Sequence, residues 1–385
     1  MKIKKIIKTI FKIILFLILA VVLYFGGIII YDTSTDYQPK SKEMLEVEGT
    51  GCFDHSNDSV FTLLSWNIGY CSLGKEMDFF YDGGRNVRPS KDNFQKYLNG
   101  VLNKLSALDT VDIIILQEVD TNAKRTYYTN EALLIKQFMP LYSFVFAKNY
   151  DVRFVPLPVF NPMGSVISGM ITLSKIRPQE AFRYPYYANY SWPMNVMMLD
   201  RCLIYTKFKI PGGKYLVVLN THNSAFDDAA ELREVEGYIL KSIMLDEYAK
   251  GNYVIAAGDW NRNPPLFDGT KFTDKNSSCA IVPAIDTAFL PEGWQWVYDP
   301  SLPTNRNVNE PYLKGITKTT IIDYFALSPN LDVIENKTLS DDFEFSDHQP
   351  IFIRVKMKED TTIQDSLIPS DNKKLRKKRN STVFF

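Results

Sequence analysis

The sequence predicts an α/β domain built in layers, preceded by one membrane-spanning helix. Three observations carry this. Nine apolar, β-branched runs of strand length recur between residues 60 and 355, several apolar almost throughout, as in sheets covered on both faces. Two segments with helical spacing lie among them. Near the start, eighteen consecutive residues carry no charge. The 385 residues are 45% apolar, with 25 Phe, 22 Tyr and 5 Trp. That is enough for a substantial core, and it excludes a disordered chain or a small disulfide-stapled scaffold.

Residues 1–12 hold five lysines and no acid, and 13–30 read IILFLILAVVLYFGGIII. At about 1.5 Å per residue this run covers roughly 27 Å, just enough for a bilayer core. It reads as an uncleaved anchor; a cleaved signal peptide and a buried core helix are the competing readings, and no A-x-A-like site follows. The lysines precede the span, so the N-terminus is expected in the cytoplasm and the remainder outside it. Residues 31–59 are polar and read as a stalk.

The body, 60–358, shows no linker and no repeat. Strands are expected at Val60–Trp66, Val111–Leu116, Ser143–Ala147, Ser168–Leu173, Cys202–Phe208, Tyr215–Asn220, Tyr253–Ala257, Thr320–Leu327 and Ile351–Val355. Helical spacing predicts helices over Lys91–Leu105 and Ala229–Tyr248. Residues 359–385 form a polar, basic tail. It reads as solvated, with contact to anionic lipid or polymer as the sharper alternative. Cys52, Cys71, Cys202 and Cys279 show neither a CxxC pair nor zinc-ligand spacing, and are expected as isolated buried thiols.

The polar residues that abut these runs are the informative feature. Asn67 ends the first, Glu118 the second, His222 the sixth, and Asp259-Trp260-Asn261 the seventh; Asp323 sits inside an apolar run, and Ser346-Asp347-His348 precedes the last strand. Any one of these alone reads as a turn residue. Six polar groups against buried strands are costly unless paired or metal-bound, so they are expected to converge.

The motifs WN (66–67), QE (117–118), NTH (220–222), GDWN (258–261), ID (322–323) and SDH (346–348), in this order, resemble the endonuclease/exonuclease/phosphatase superfamily across 60–358. The resemblance implies a four-layer α/β sandwich, two facing mixed β-sheets flanked by helices, with the site at one edge. It implies a hydrolase of phosphodiesters in which Asn67, Glu118 and Asp347 hold Mg²⁺, or Mn²⁺ in its place. These are oxygen ligands suited to a hard ion, and no His/Cys cluster favours zinc. Water is the expected nucleophile. Asp259 orients or deprotonates it, Asn261 donates to water or phosphoryl oxygen, and His348 contacts phosphate or moves a proton with Asp323 fixing its tautomer. His222 is the second imidazole. Arg201 and Asn220 are expected on the substrate side.

Zero net charge is a cancellation. Residues 1–30 carry +5 and 371–385 another +5, which leaves 33 bases and 43 acids in 31–370, a net of −10. Duplex binders usually show a basic footprint, which this acidic body lacks; a nuclease-type phosphodiesterase is favoured by a narrow margin, with a phospholipid or other phosphoester as the alternative substrate. Aromatic clusters at 182–198 and 289–298 offer either a lip for an apolar headgroup or core packing. A tethered binding module without turnover is the reading from a different class. No protein partner is inferred.

Overall fold

The computed structural model describes residues 2–51, 59–187, 190–225, 231–272 and 282–358. His55, Cys52, Cys279 and the basic tail lie outside the described residues. The first elements are α1 (Lys2–Thr35), β1 (Glu43–Met44), β2 (Val60–Asn67), α2 (Lys91–Ala107), β3 (Ile113–Ala123) and α3 (Glu131–Phe138). Next come β4 (Ser143–Val155), β5 (Gly164–Ser174), β6 (Glu180–Pro185), β7 (Cys202–Lys209), β8 (Tyr215–His222), α4 (Glu231–Ala249) and β9 (Tyr253–Asp259). The last are β10 (Gln295–Val297), β11 (Asn305–Arg306), β12 (Thr319–Thr320), β13 (Asp323–Leu327), β14 (Leu331–Thr338) and β15 (Ile351–Met357).

Two mixed sheets result. One has the order β1-β6-β7-β8-β9-β13-β10, the other β14-β15-β2-β3-β5-β4, and β11-β12 form a small ribbon. Side chains alternate between faces along a strand, which explains why the central strands are apolar throughout. In β2 and β3, Leu63, Ile113 and Ile115 pack between the sheets against Phe208, Leu216, Val218, Ile255 and Phe325 of the facing sheet. Their neighbours Leu64, Ile114 and Leu116 face the other way, onto Leu98, Val101 and Leu102 of α2 and Ile135 of α3. The facing sheet is covered in turn by Leu240 and Met244 of α4. The layers are therefore helix, sheet, sheet, helix, as expected.

Helix α2 starts where the Ser90 side chain accepts the Asn93 N–H, an N-cap of the usual kind. Its buried face is the expected apolar stripe, Phe94, Tyr97, Leu98, Val101, Leu102 and Leu105. The aromatic cluster at 289–298 is core packing: Phe289, Trp294, Trp296 and Tyr298 lie against the helix-side face with Trp260 and Tyr324. Cys71 and Cys202 are free, buried thiols.

Helix α1 runs unbroken over 34 residues, and its apolar stretch packs against nothing among the described residues. It is long and apolar enough to cross a membrane. The segment after it, read from sequence as a stalk, follows the domain surface. β1 adds an edge strand to β6, Leu45 N–H donates to Ala181 O (2.9 Å), and Glu48 and Phe144 exchange backbone hydrogen bonds.

Candidate active site

Strand register brings the polar ends together. Asn67 of β2 pairs with Gln117 of the parallel β3; His222 of β8 pairs with Asp259 of the parallel β9; Asp323 of β13 pairs with the same Asp259. A bulge in β3 between Leu116 and Val119 leaves Glu118 at φ 55°, a left-handed conformation that non-glycine residues adopt at a cost. That turn lets its carboxylate reach Asn67 of the neighbouring strand. Gly258 is required beside it. Its φ is 143°, and a Cβ there would lie 1.9 Å from the Thr221 carbonyl oxygen, so only glycine allows β8 and β9 to meet at His222 and Asp259.

Asn67 is the hub. Its Nδ2 donates to Glu118 Oε1 (3.0 Å) and to Asp259 Oδ2 (3.1 Å), while its Oδ1 accepts the Gly69 N–H (3.0 Å). His222 Nε2 lies 3.5 Å from Asp259 Oδ2 and 3.7 Å from Glu118 Oε1. His348 Nδ1 meets Asp323 Oδ2 at 2.9 Å, and its Nε2 lies 3.7 Å from Asp259 Oδ2. The Trp66 indole donates to the His348 carbonyl at 3.0 Å, and the Ser346 hydroxyl to the Asn67 carbonyl at 2.9 Å, so the SDH turn is fastened to the end of β2. Asp347 and Glu118 line the same pocket of about 420 Å³, with both histidines, Asp259, Asn261 and Arg201.

Burial and charge set the two imidazoles apart. His222 is held well below its ordinary pKa by burial, then by the nearby charges of Arg201 and His348; it is neutral at pH 7. Burial also opposes charge on His348, but the carboxylates of Asp323, Asp259 and Asp347 override it and hold the ring charged. Burial pushes Asp259 up to about 7, against the pull of His348. Asp347 is pushed up to about 6 by burial, with the Glu118 charge adding to the shift.

One expected residue, Asn220, sits apart from the substrate side. Asn220 is fully buried between the sheets and does not line the pocket. Its amide donates to the Leu116 and Ile171 carbonyls and its oxygen accepts from Gln117, which ties β8 to β3 and β5. A side chain so engaged leaves no group for substrate, so its place is structural. Arg201 does line the pocket, with Nη1 donating to the His222 carbonyl at 3.2 Å. Asn261 lines it too, its amide donating to the Asn223 carbonyl at 2.7 Å and its backbone N–H to Asp259 Oδ1 at 2.9 Å.

Sequence reasoning missed Asn305, whose amide lies 3.0 Å from His348 Nε2. It also missed Asp82, a pocket carboxylate pushed up to about 7 by burial and by the charges of Asp347 and Glu118. Asn305 opens the two-residue β11 and Asp82 closes a single 3₁₀ turn, elements too short for periodicity to mark.

The residues fit a hard cation. The Glu118 charge adds to the burial that raises Asp347, the charges of Asp347 and Glu118 add to the burial that raises Asp82, and the Asn67 amide lies beside Glu118. Glu118, His222 and Asp259 can also bring one ligand atom each within 4.8 Å of one another, as can Asp259, Asp323 and His348. Converging acids of this kind repel each other until a cation neutralises them.

The chain's overall form is shared with solved structures. It resembles an endonuclease/exonuclease/phosphatase from Beutenbergia cavernae DSM 12333 (18% identity, 78% of this chain and 72% of that one, TM-score 0.51). A second, from Bacteroides vulgatus, matches at 15% identity over 78% of this chain and all of that one, TM-score 0.50. TDP2 from C. elegans matches at 15% identity over 77% and 75% of the two chains, also at TM-score 0.50. At such identities the likeness shows the fold. No curated protein matches the sequence. The profile of the Endonuclease/Exonuclease/phosphatase family matches residues 64–348, from the strand that carries Asn67 to His348. The chain belongs to that family, which is generally hydrolytic on phosphoester bonds.

Proposed function

We propose that the chain is a membrane-anchored, divalent-metal-dependent hydrolase of phosphodiesters. The observation that supports this reading most is the split pair of imidazoles around a buried carboxylate: neutral His222 and charged His348 on either side of Asp259, at the floor of an acid-lined pocket. Groups whose environments push their pKa values apart are what acid and base roles require.

Glu118, Asp347 and Asn67 would hold Mg²⁺ or Mn²⁺, which neutralises charge on the phosphate. Asp259 orients the attacking water and accepts its proton. As the water oxygen bonds to phosphorus the ester P–O bond breaks, and the departing alkoxide takes a proton from His348. Asn261 holds the water or a phosphoryl oxygen, and Arg201 and His222 face the developing negative charge. Helix α1 anchors the chain, with its lysines on the cytoplasmic side and the domain outside.

Nucleic-acid and phospholipid diesters present the same reacting group to these residues. The leaning toward a nuclease rests on family resemblance, whereas the net charge of −10 over residues 31–370 lacks a duplex binder's footprint. The test is the purified full chain on bis-nitrophenyl phosphate, plasmid DNA and phospholipid vesicles, with Mg²⁺ or with EDTA. EDTA-sensitive turnover that falls ~10²–10³-fold in Asp259→Asn and His348→Ala is expected. Turnover insensitive to EDTA, or a His348→Ala chain of near-normal activity, would sink the reading.

A further inference from the structure

Two loops share two features, and the second of them has a third. The first connects β4 to β5 (156–163) and the second connects β6 to β7 (186–201). Each exposes large apolar side chains: Leu157, Val159 and a fully exposed Phe160 on the first, Tyr187, Trp192 and Met194 on the second. Each also supplies a wall of the catalytic pocket, through Met163 on the first and Tyr190, Met198 and Leu199 on the second. The second touches the domain-side end of α1, and the first adjoins β4, which does. Buried Asp32 lies against the Phe154 backbone at the end of β4, and the Trp192 indole donates to Thr33 Oγ1 at 3.2 Å.

Thr33 stands three residues past the uncharged run 13–30. If that run fills the bilayer core, Trp192 and the exposed Tyr31 lie at headgroup depth, where Trp and Tyr are favoured. Tyr187 hydroxyl donates to the Ser41 carbonyl (2.9 Å), and β1 pairs with β6, so the chain leaving the helix is fixed to the second loop's own strand.

We infer that these two loops form a lipid-contacting rim, continuous with the anchor, which turns the pocket mouth toward the bilayer and selects phosphodiesters of membrane phospholipids. This rests on the hydrolase reading above and on α1 as an anchor. The rim is apolar where it is exposed, the Trp192 indole ties it to the membrane helix, and the same segments wall the reacting groups.

The test uses the full chain in vesicles of phosphatidylcholine and phosphatidylglycerol, compared with the Phe160→Ser/Trp192→Ser variant, both substitutions being at exposed positions. Turnover of soluble bis-nitrophenyl phosphate is expected to stay within twofold, while turnover of vesicle lipid falls tenfold or more. Brominated acyl chains are expected to quench fluorescence in the wild type more than in Trp192→Phe. Lipid turnover equal in the variant and the wild type would overturn the inference, as would cleavage of plasmid DNA and soluble diester with none of lipid. Loss of all turnover in the wild type would overturn the hydrolase reading instead. The rim itself then stands or falls on quenching, and equal quenching in wild type and Trp192→Phe overturns it.

Discussion

Asp323→Asn isolates the electrostatics of the site from its shape. The carboxylate Oδ2 lies 2.9 Å from His348 Nδ1, and both side chains are almost wholly buried. Asparagine keeps the volume but removes the charge that, with Asp259 and Asp347, outweighs the burial penalty on the imidazolium. A hydrogen bond to a charged group contributes about 1.5–3 kcal/mol, and 1.36 kcal/mol is one factor of ten, so kcat/KM should fall ~10–10²-fold. Asp323 faces the ring and not the Glu118–Asp347 acids, so metal affinity should be unchanged within about threefold. Bis-nitrophenyl phosphate turnover at saturating Mg²⁺ measures the first quantity, and Mn²⁺ titration by electron paramagnetic resonance measures the second. Intact circular dichroism with activity within threefold of wild type would refute the role given to the Asp323–His348 pair. A loss traced wholly to weaker metal binding would refute it as well.

Three further outcomes are expected. Glu118→Gln should weaken Mn²⁺ binding by more than the ~10–100-fold that loss of an outer-shell partner costs, read by the same titration. Gly258→Ala must place its Cβ 1.9 Å from the Thr221 carbonyl oxygen, and should destabilise the fold by at least ~3 kcal/mol in urea unfolding, or leave no soluble protein. Asp200 is pushed up to about 7 by burial and by Asp36. Its folded pKa lies above its ordinary value, so its carboxylate costs stability above pH 7 and nothing below about pH 4. Asp200→Asn should therefore raise Tm by roughly 2–4 °C at pH 8 and leave it unchanged at pH 4.

The sandwich was legible because its central strands are covered on both faces. Ile113 to Leu116 can be apolar without interruption only there, and the charge that ends such a run stands out. Strands near the sheet margins carry no such mark. β6 (EAFRYP) and β14 (LDVIENKT) mix polar and apolar residues because one side meets solvent, and both were missed, as was the short α3. The run Thr320–Leu327 divides into β12 and β13. Ile321 and Ile322 leave the ladder between them, and the Ile322 carbonyl accepts the Trp260 N–H, so Asp323 opens β13 where a strand interior was expected. Six polar strand ends were readable because each contrasts with an apolar neighbour. Asn305 and Asp82 reach the pocket from a two-residue strand and a short 3₁₀ turn, where a polar residue is unremarkable. The pairing of β1 with β6 joins residues about 140 positions apart, and a two-residue strand has no local pattern to announce it.

That pairing removes the slack a stalk would have given. A domain on a loose tether samples many heights and orientations over a membrane, and lipid thickness is then of no consequence to it. Here helix, edge strand and sheet form one lever. If α1 spans a bilayer as proposed, its uncharged run of eighteen residues has no length to spare over a core of about 30 Å, so a thinner bilayer is met by helix tilt and a thicker one by local thinning. The catalytic pocket then tilts by the same angle. Under the proposed anchoring and activity, bilayer thinning becomes an input to catalysis, delivered mechanically and without any ligand.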